Sequence, residues 1–160
     1  MMNQGPSEAA ELLEEGYRHH MAGEIDQAIR LYKRSIAAHP TPEAYTFLGW
    51  SYSSLGRVDD AIAQCKKAIG LDPDFGNPYN DIGSYLIQMG KLDEALAWLE
   101  QAKQAGRYEA RHFPYLNAGR VHVARGALGA ALQEFRSALR IHRGDPLARE
   151  MVRILKSRLN

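Results

Sequence analysis

A repeated spacing of glycine and alanine constrains this chain more than any other feature of its sequence. Between Gly83 and Ala102, a glycine is followed by a second glycine seven residues later, an alanine five residues after that, and another alanine seven residues further on. The same spacing begins at Gly16, Gly49 and Gly119, although the first copy lacks the last alanine. The first alanine of the frame recurs at intervals of 33, 34 and 36 residues. A period of this size indicates an architecture of stacked repeats.

Each repeat carries two apolar patterns with the period of an α-helix. In the third repeat the first pattern is an i, i+3, i+4, i+7 stripe of Tyr79, Ile82, Gly83 and Leu86. A second stripe follows after Gly90, where a tight or left-handed turn is predicted. We expect Gly83 to lie where the two helices cross, with Ala95 facing it. Gly83→Leu should then overpack the crossing, at a cost of about 1–3 kcal/mol or more.

Prolines and capping residues divide the chain into units. Residues 1–6 are predicted to be a disordered tail, Ser7 to cap the first helix, and a single domain to occupy 7–158. Thr41, Asn77 and Asp145 each precede a proline and are predicted helix caps. The repeats are predicted at 9–41, 42–75, 76–109 and 112–145.

Two segments depart from the regular repeat. The third interval is two residues longer than the 34-residue spacing before it, which predicts a longer or distorted connection between Tyr108 and Phe113. Residues 146–158 lack the frame but carry one apolar stripe with basic residues mostly off it. This pattern predicts a helix that covers the last repeat and leaves its other face in water.

The frame resembles that of tetratricopeptide repeat proteins, whose unit is a 34-residue helix–turn–helix. In the third repeat the resemblance rests on Tyr79, Ile82, Gly83, Leu86, Ala95, Leu99 and Ala102. The resemblance implies an all-α fold, a right-handed superhelical α-solenoid of antiparallel helix pairs. It also implies a non-enzymatic adaptor that binds a partner peptide or helix in a concave groove.

In this family the first helix of each pair lines the groove, and the matching positions give candidate partner-binding residues. They are Tyr17, His20, Thr46, Trp50, Ser53, Asn80, Ser84, Gln88, Phe113 and Arg120. Trp50 is the strongest candidate, because aromatic residues often anchor interfaces. Its alternative role is to cover the first repeat. The carboxylate clamp of chaperone-binding members is disfavoured, since Leu13, Tyr17, Asn80 and Ser84 stand at its positions.

The charge distribution leaves two further hypotheses open. Residues 1–106 carry 9 Lys and Arg against 15 Asp and Glu, whereas residues 107–160 carry 11 against 4. Opposite charge at the two ends suggests a self-assembling scaffold and a homo-oligomer as an alternative. A small chaperone for secreted client proteins is another alternative. Cytoplasmic location is predicted, because no signal peptide, membrane span or cysteine pair is visible.

The sequence gives no reason to predict an enzyme, a cofactor or a metal site. Adjacent His19 and His20 point about 100° apart on a helix and share a metal poorly. His112 and His122 have no cysteine or acidic partner at ligand spacing, and Cys65 is predicted to be a buried packing residue. Nucleic acid is a disfavoured partner, since the basic C-terminal segment lacks interleaved aromatic residues.

Overall fold

A computed structural model describes residues 4–160, which form nine α-helices and no β-strand. The helices are α1 (Gly5–Met21), α2 (Ile25–Ala38), α3 (Pro42–Ser54), α4 (Val58–Leu71), α5 (Asn77–Gln88), α6 (Leu92–Gln104), α7 (Phe113–Ala124), α8 (Leu128–Ile141) and α9 (Pro146–Leu159). Each helix packs on the next along the chain. The odd-numbered helices α1, α3, α5 and α7 also contact one another in order. The all-α solenoid of helix pairs is therefore confirmed.

Each pair is closed by a glycine in a left-handed backbone conformation. Gly90 has φ 75°, and Gly23, Gly56 and Gly126 have φ between 72° and 81°. The amide after each glycine donates to a carbonyl in the last turn of the preceding helix, as Lys91 N–H does to Leu86 O at 2.9 Å. This is the Schellman arrangement, for which glycine avoids the steric cost of a side chain.

The glycine of each first helix lies against a side chain of the second helix. A Cβ atom added at Gly83 would come within 2.5 Å of Leu99, while its nearest approach to Ala95 is 3.5 Å, to the carbonyl oxygen. Ala95 therefore faces Gly83 across the helix crossing, as predicted, although the closest side chain is that of Leu99. The small side chain of Ala95 is fully buried in the core shared by neighbouring pairs.

The glycine at the helix crossing contacts a different residue in each pair. Gly16 faces Tyr32, Gly119 faces Phe135, and Gly49 faces both Cys65 and the carbonyl oxygen of Ala61. Tyr32, Cys65, Leu99 and Phe135 are all fully buried. Cys65 is therefore the packing residue that the sequence predicted.

Three predicted boundaries differ from the structure. The first helix begins at Gly5, so the predicted tail is wrong for Gly5 and Pro6; residues 1–3 lie outside the described part of the chain. Ser7 is a helical residue of α1 and not its cap, because the cap position is occupied by Gln4. Asn77 is also the first residue of its helix, and its side chain makes no capping bond. Thr41 and Asp145 do cap α3 and α9, by accepting from Ala44 N–H and Ala148 N–H.

The long connection between α6 and α7 is anchored to the second pair. Arg107 forms ion pairs with Asp72, at 2.7 Å, and with Glu43, at 2.9 Å, and its guanidinium lies 4.3 Å from the ring centroid of Phe75. Tyr108 is buried, and its ring occupies the space where a side chain on Gly76 would lie. Arg107 and Tyr108 thus link this connection to the second helix pair and to the start of α5.

Helix α9 packs on α8, and Ala148 and Leu155 are buried in a core that also contains Leu116 and Phe135. The helix therefore covers the last pair, in the position that the sequence predicted for a capping helix. Within residues 4–160, no helix combines the length and the apolar character that crossing a bilayer requires.

Candidate functional site

An apolar surface depression lies between α1 and α3, the first two of the odd-numbered helices. It has a volume of about 490 Å³. Its lining residues are Ala10, Leu13, Glu14, Tyr17, Phe47 and Trp50. Tyr17 and Trp50 remain 41% and 40% exposed although both are large aromatic residues. We call this depression the aromatic pocket.

Three aromatic rings form the wall of the pocket. The centroid of Phe47 lies 5.6 Å from that of Tyr17 and 6.1 Å from that of Trp50. On its other side Phe47 stacks on the buried ring of Tyr32 at 5.8 Å, with 19° between the planes. The wall is thus supported from the core, which keeps it in place without a ligand.

The structure shows that Trp50 covers the first repeat, and its role in binding a partner stays a prediction. Its ring packs on His20 of the first pair at 4.3 Å between centroids, so it covers that repeat. The rest of the side chain stays in solvent at the edge of the pocket. Covering the first repeat therefore leaves enough of the indole for a partner to contact.

Three predicted groove residues are buried: His20, Thr46 and Asn80. His20 is only 7% exposed, and its Nδ1 lies 3.1 Å from Ser51 Oγ and 3.4 Å from Tyr32 Oη. Burial lowers the pKa of His20, because charging the ring would cost solvation. Thr46 is 6% exposed and donates its hydroxyl to the carbonyl of Pro42 at 2.7 Å. Their placement in the partner-binding set was therefore wrong.

A polar network forms the middle of the odd-numbered helix layer. Asn117 donates to Asn80 Oδ1 at 3.0 Å, and Arg120 donates to Asn117 Oδ1 at the same distance. Asn80 is 8% exposed and so supports this network more than it presents itself to a partner. Arg120 is exposed, and its guanidinium keeps donors beyond the one used by Asn117. The network therefore holds a cation in a defined position at the surface.

A second apolar depression lies at the C-terminal end of the layer. Its volume is about 280 Å³. Its lining residues are Arg120, Val123, Ala124, Phe135, Leu147 and Met151. Leu147 is 45% exposed and comes from α9, so the capping helix contributes to this surface as well as covering the core.

The remaining predicted residues fall into two groups. Ser53 and Ser84 are half-buried and Gln88 is exposed, all on α3 and α5 between the two depressions. Phe113 is 45% exposed and stacks on His112 at 4.5 Å, and it lines neither depression. The structure thus brings together Tyr17 and Trp50 and places Arg120 in the second depression, but it separates Phe113 from both.

Phe47, Leu147 and Met151 line the two depressions although the repeat pattern does not indicate them. Phe47 lies next to the position that the family pattern assigns to the groove, and its exposed edge depends on how α1 and α3 pack. Leu147 and Met151 belong to the helix without the repeat frame, so no family position points to them. The apolar stripe that contains Leu147 and Met151 predicts a helix that covers the last repeat, but it does not by itself predict an exposed depression.

Two sequence models of the tetratricopeptide repeat family match the chain, one over residues 13–74 and the other over residues 52–112. Among curated proteins, the chain is similar to the small glutamine-rich tetratricopeptide repeat-containing protein 2 of Mycosarcoma maydis. The two are 31% identical over 91 residues, which are 56% of this chain and 26% of that protein. The chain spans about a quarter or less of the length of the curated relatives that it matches.

Solved structures share the fold. The pilF protein of Pseudomonas aeruginosa superposes with a TM-score of 0.89 at 20% identity, covering 96% of this chain and 70% of that one. The first tetratricopeptide domain of Spaghetti, bound to an HSP90 peptide, gives a TM-score of 0.69 at 22% identity, covering 76% of this chain and 98% of that one. At these identities the likeness concerns the fold alone.

Proposed function

Because this chain belongs to the tetratricopeptide repeat family, we propose that it is a non-enzymatic binding module for another protein. An extended or helical segment of the partner would lie along the odd-numbered helices α1, α3, α5 and α7. Stacked repeats create a continuous surface of this kind, longer than one helix pair. The cytoplasmic location inferred from the sequence stays a prediction.

The aromatic pocket is the observation that carries this proposal. Its volume is more than sufficient for one large apolar side chain, and Tyr17, Phe47 and Trp50 line it. Exposed aromatic rings held by a buried layer bind with little loss of side-chain entropy, which is why such residues dominate interface energies. We expect an aromatic or branched aliphatic residue of the partner to occupy this pocket.

Arg120 suggests the second element of recognition. Its exposed guanidinium is oriented by Asn117 and lies in the second depression, beside Val123 and Met151. A carboxylate is the partner group that best matches a fixed guanidinium, because it can accept two parallel hydrogen bonds. The partner segment is therefore expected to combine an apolar anchor with an acidic group.

The peptide-bound structure of the Spaghetti domain shows that a domain of this fold can bind a peptide, without identifying the ligand of the present chain. That protein binds a peptide of sequence SRMEEVD from HSP90. In the present chain, Leu13 and Tyr17 occupy two positions at which the carboxylate clamp of chaperone-binding family members would need polar residues. Both line the aromatic pocket. We therefore expect selectivity for an internal apolar anchor over a free C-terminal carboxylate.

Selection from a random peptide library, followed by titration of one selected peptide, tests the proposal. Trp50→Ala should weaken binding at least about tenfold, and Arg120→Glu should weaken it by a similar factor that shrinks as salt increases. Leu71→Ala and Arg136→Glu are matched controls, because both residues are exposed on even-numbered helices. Circular dichroism checks that helical content is unchanged.

Both Trp50→Ala and Arg120→Glu should lower the peptide affinity only if the peptide contacts both ends of the surface. Equal affinity in the parent, Trp50→Ala and Arg120→Glu proteins would place the site elsewhere. Loss of binding in Leu71→Ala or Arg136→Glu, with both groove variants unaffected, would assign it to the even-numbered helices. Selection of peptides that bind only through a free C-terminus would contradict the expected anchor.

Self-assembly is a second candidate, favoured by the positions of the charged helices. Helix α1 carries four glutamates and α9 carries four basic residues, and the two helices lie at opposite ends of the packing order. Head-to-tail contact would bring these opposite charges together. Light scattering should then show a mass that falls toward one chain as salt is raised from low concentration.

A further inference from the structure

A cluster of two histidines and an aspartate lies where α7, α8 and α9 meet. His112 immediately precedes α7, His142 immediately follows α8, and Asp145 caps α9. One ligand atom from each of the three side chains lies within 4.8 Å of the others. We propose that His112, His142 and Asp145 form a binding site for a divalent transition metal ion, with Zn²⁺ as the best match.

The donor set fits this ion. Zn²⁺ accepts imidazole nitrogen and carboxylate oxygen at about 2.0–2.2 Å, usually in tetrahedral geometry. Two histidines and one carboxylate occupy three of its four positions, as in sites that keep the fourth position for water or another ligand. Mg²⁺ and Ca²⁺ prefer sites made of oxygen donors, so the two imidazoles disfavour them.

Asp145 is already oriented for this role. Its Oδ1 accepts from Ala148 N–H at 2.8 Å, which fixes the carboxylate at the start of α9. Its Oδ2 lies 3.9 Å from His112 Nε2. That separation exceeds a hydrogen bond but leaves space for an ion between the two atoms with little movement. The side chain is 11% exposed, so the carboxylate is held in a partly dry environment.

His112 is also held in position, whereas His142 can move. The His112 ring stacks on Phe113 at 4.5 Å with 29° between the planes, and its side chain is 16% exposed. The His142 ring lies 4.7 Å from that of His112 and is exposed. Ligand atoms around a tetrahedral ion are about 3.3 Å apart, given bonds near 2.0 Å. Rotation of the exposed His142 side chain would close the remaining distance.

An ion at this site would bridge the start of α7, the end of α8 and the start of α9. An ion bound here links the last helix pair to the capping helix, and it binds the folded chain better than the unfolded one. Any such ligand raises the stability of the folded state as its concentration increases. This consequence is separate from peptide binding, since His112, His142 and Asp145 line neither depression of the candidate binding surface.

Titration of the metal-free protein with Zn²⁺, using a chromophoric chelator as competitor, tests the site. We expect one ion per chain, a melting temperature that rises with Zn²⁺, and no such rise with equal concentrations of Mg²⁺. His142→Ala should weaken Zn²⁺ binding at least about tenfold, equivalent to about 1.4 kcal/mol. Asp145→Asn should do the same, since asparagine retains the capping oxygen but lacks the negative charge.

His122→Ala is the matched control, because His122 lies on the same helix α7 and is outside the cluster. It should keep the affinity of the parent protein. His142→Ala removes an exposed side chain, so it tests the site even where Asp145→Asn lowers stability. Unchanged Zn²⁺ affinity in His142→Ala, loss of binding in His122→Ala, or no binding by the parent at concentrations up to about 1 mM would overturn the proposal.

Discussion

Histidines lie at both ends of the molecule, and their surroundings differ. His20, near the end of α1, is buried between Tyr32 and Trp50, with two hydroxyl groups at its Nδ1. His112, before α7, lies at the partly exposed edge of the last pair, beside another imidazole and a carboxylate. The first arrangement stabilises the fold and supports a pocket wall, whereas the second is suited to ligand binding.

The same contrast holds for the helix position that we propose to contact the partner. Trp50 and Arg120 occupy equivalent positions of the second and fourth repeats. Trp50 is held by ring packing on His20, and Arg120 is held by a hydrogen bond from its guanidinium to Asn117. The same geometry, repeated in each helix pair, thus supports an aromatic surface at one end and a cationic surface at the other. The chemistry of each end depends on its neighbours in adjacent repeats.

The largest effect should come from breaking the packing that both ends share. Gly16→Leu and Gly119→Leu would each drive a side chain into a buried aromatic ring, since an added Cβ already meets Tyr32 at 2.7 Å and Phe135 at 2.6 Å. We expect each variant to lose about 3 kcal/mol or more of unfolding free energy. Urea unfolding measures this loss. A parent-like stability in either variant would show that its end does not use the common helix crossing.

The two histidines should respond differently to truncation. His20→Ala removes the ring beneath Trp50 and leaves the hydroxyls of Ser51 and Tyr32 without this partner, so we expect a loss of about 2 kcal/mol. In metal-free buffer, His112→Ala should cost less than about 1 kcal/mol, because that ring lies at an edge and its Nε2 is too far from Asp145 to donate a hydrogen bond of normal length. Equal losses in urea unfolding would remove the distinction between the two ends.

Between the two ends, Asp81 on α5 should make stability depend on pH. Burial raises the pKa of Asp81 to about 7 from 3.8, and no side chain of residues 4–160 forms a hydrogen bond or ion pair with it. The folded chain therefore holds this proton more tightly than the unfolded chain. Stability from this group is complete below about pH 4 and declines as the pH rises through about 7.

Asp81→Asn should abolish that decline. We expect the variant to gain roughly 2 kcal/mol over the parent at pH 8 and little at pH 4, after allowing for partial exposure of the residue. Unfolding of both proteins by urea at each pH gives the difference directly. A difference that stays constant across this range would show that Asp81 is charged throughout in the folded chain.

The smallest effect should be a gain in unfolding free energy from alanine substitutions on two even-numbered helices, α4 and α8. The gain should be similar in the two helices. Gly70 on α4 and Gly129 on α8 have no atom of a neighbouring element within 4 Å of an added Cβ. Alanine at either position should stabilise its helix by about 0.5–1 kcal/mol, since it reduces the entropy lost on folding. Thermal unfolding would register this gain, and a destabilised Gly70→Ala or Gly129→Ala protein would contradict it.

Much of the fold could be read from spacing alone. The turn glycine Gly90, the caps Thr41 and Asp145, and the packing role of Cys65 all follow local rules of backbone conformation, capping and periodicity. Those rules were less reliable for Asn77 and Ser7, which lie inside their helices. A residue of a capping type that lies one position past the cap, as Asn77 does, or three positions past it, as Ser7 does, looks the same in sequence, and only the hydrogen bonds distinguish it from a true cap.

The candidate site was predicted less well, for a different reason. His20 and Thr46 occupy positions that often face a groove, yet neighbouring repeats bury them here. His142 and Asp145 are 30 and 33 residues from His112, and no local spacing connects them. Such groupings depend on the packing between successive helix pairs, which the repeat pattern describes only on average.

The sequence by itself determined the period, the helix pairs and the family, because glycine at a crossing and glycine at a turn are dictated by sterics within one repeat. Tertiary structure decided which side chains remain available. It buried His20 beneath Trp50, exposed the edge of Phe47, and brought His112 to His142 and Asp145. These outcomes require contacts between repeats, where the exposure of a side chain depends on the size and direction of residues 30 or more positions away.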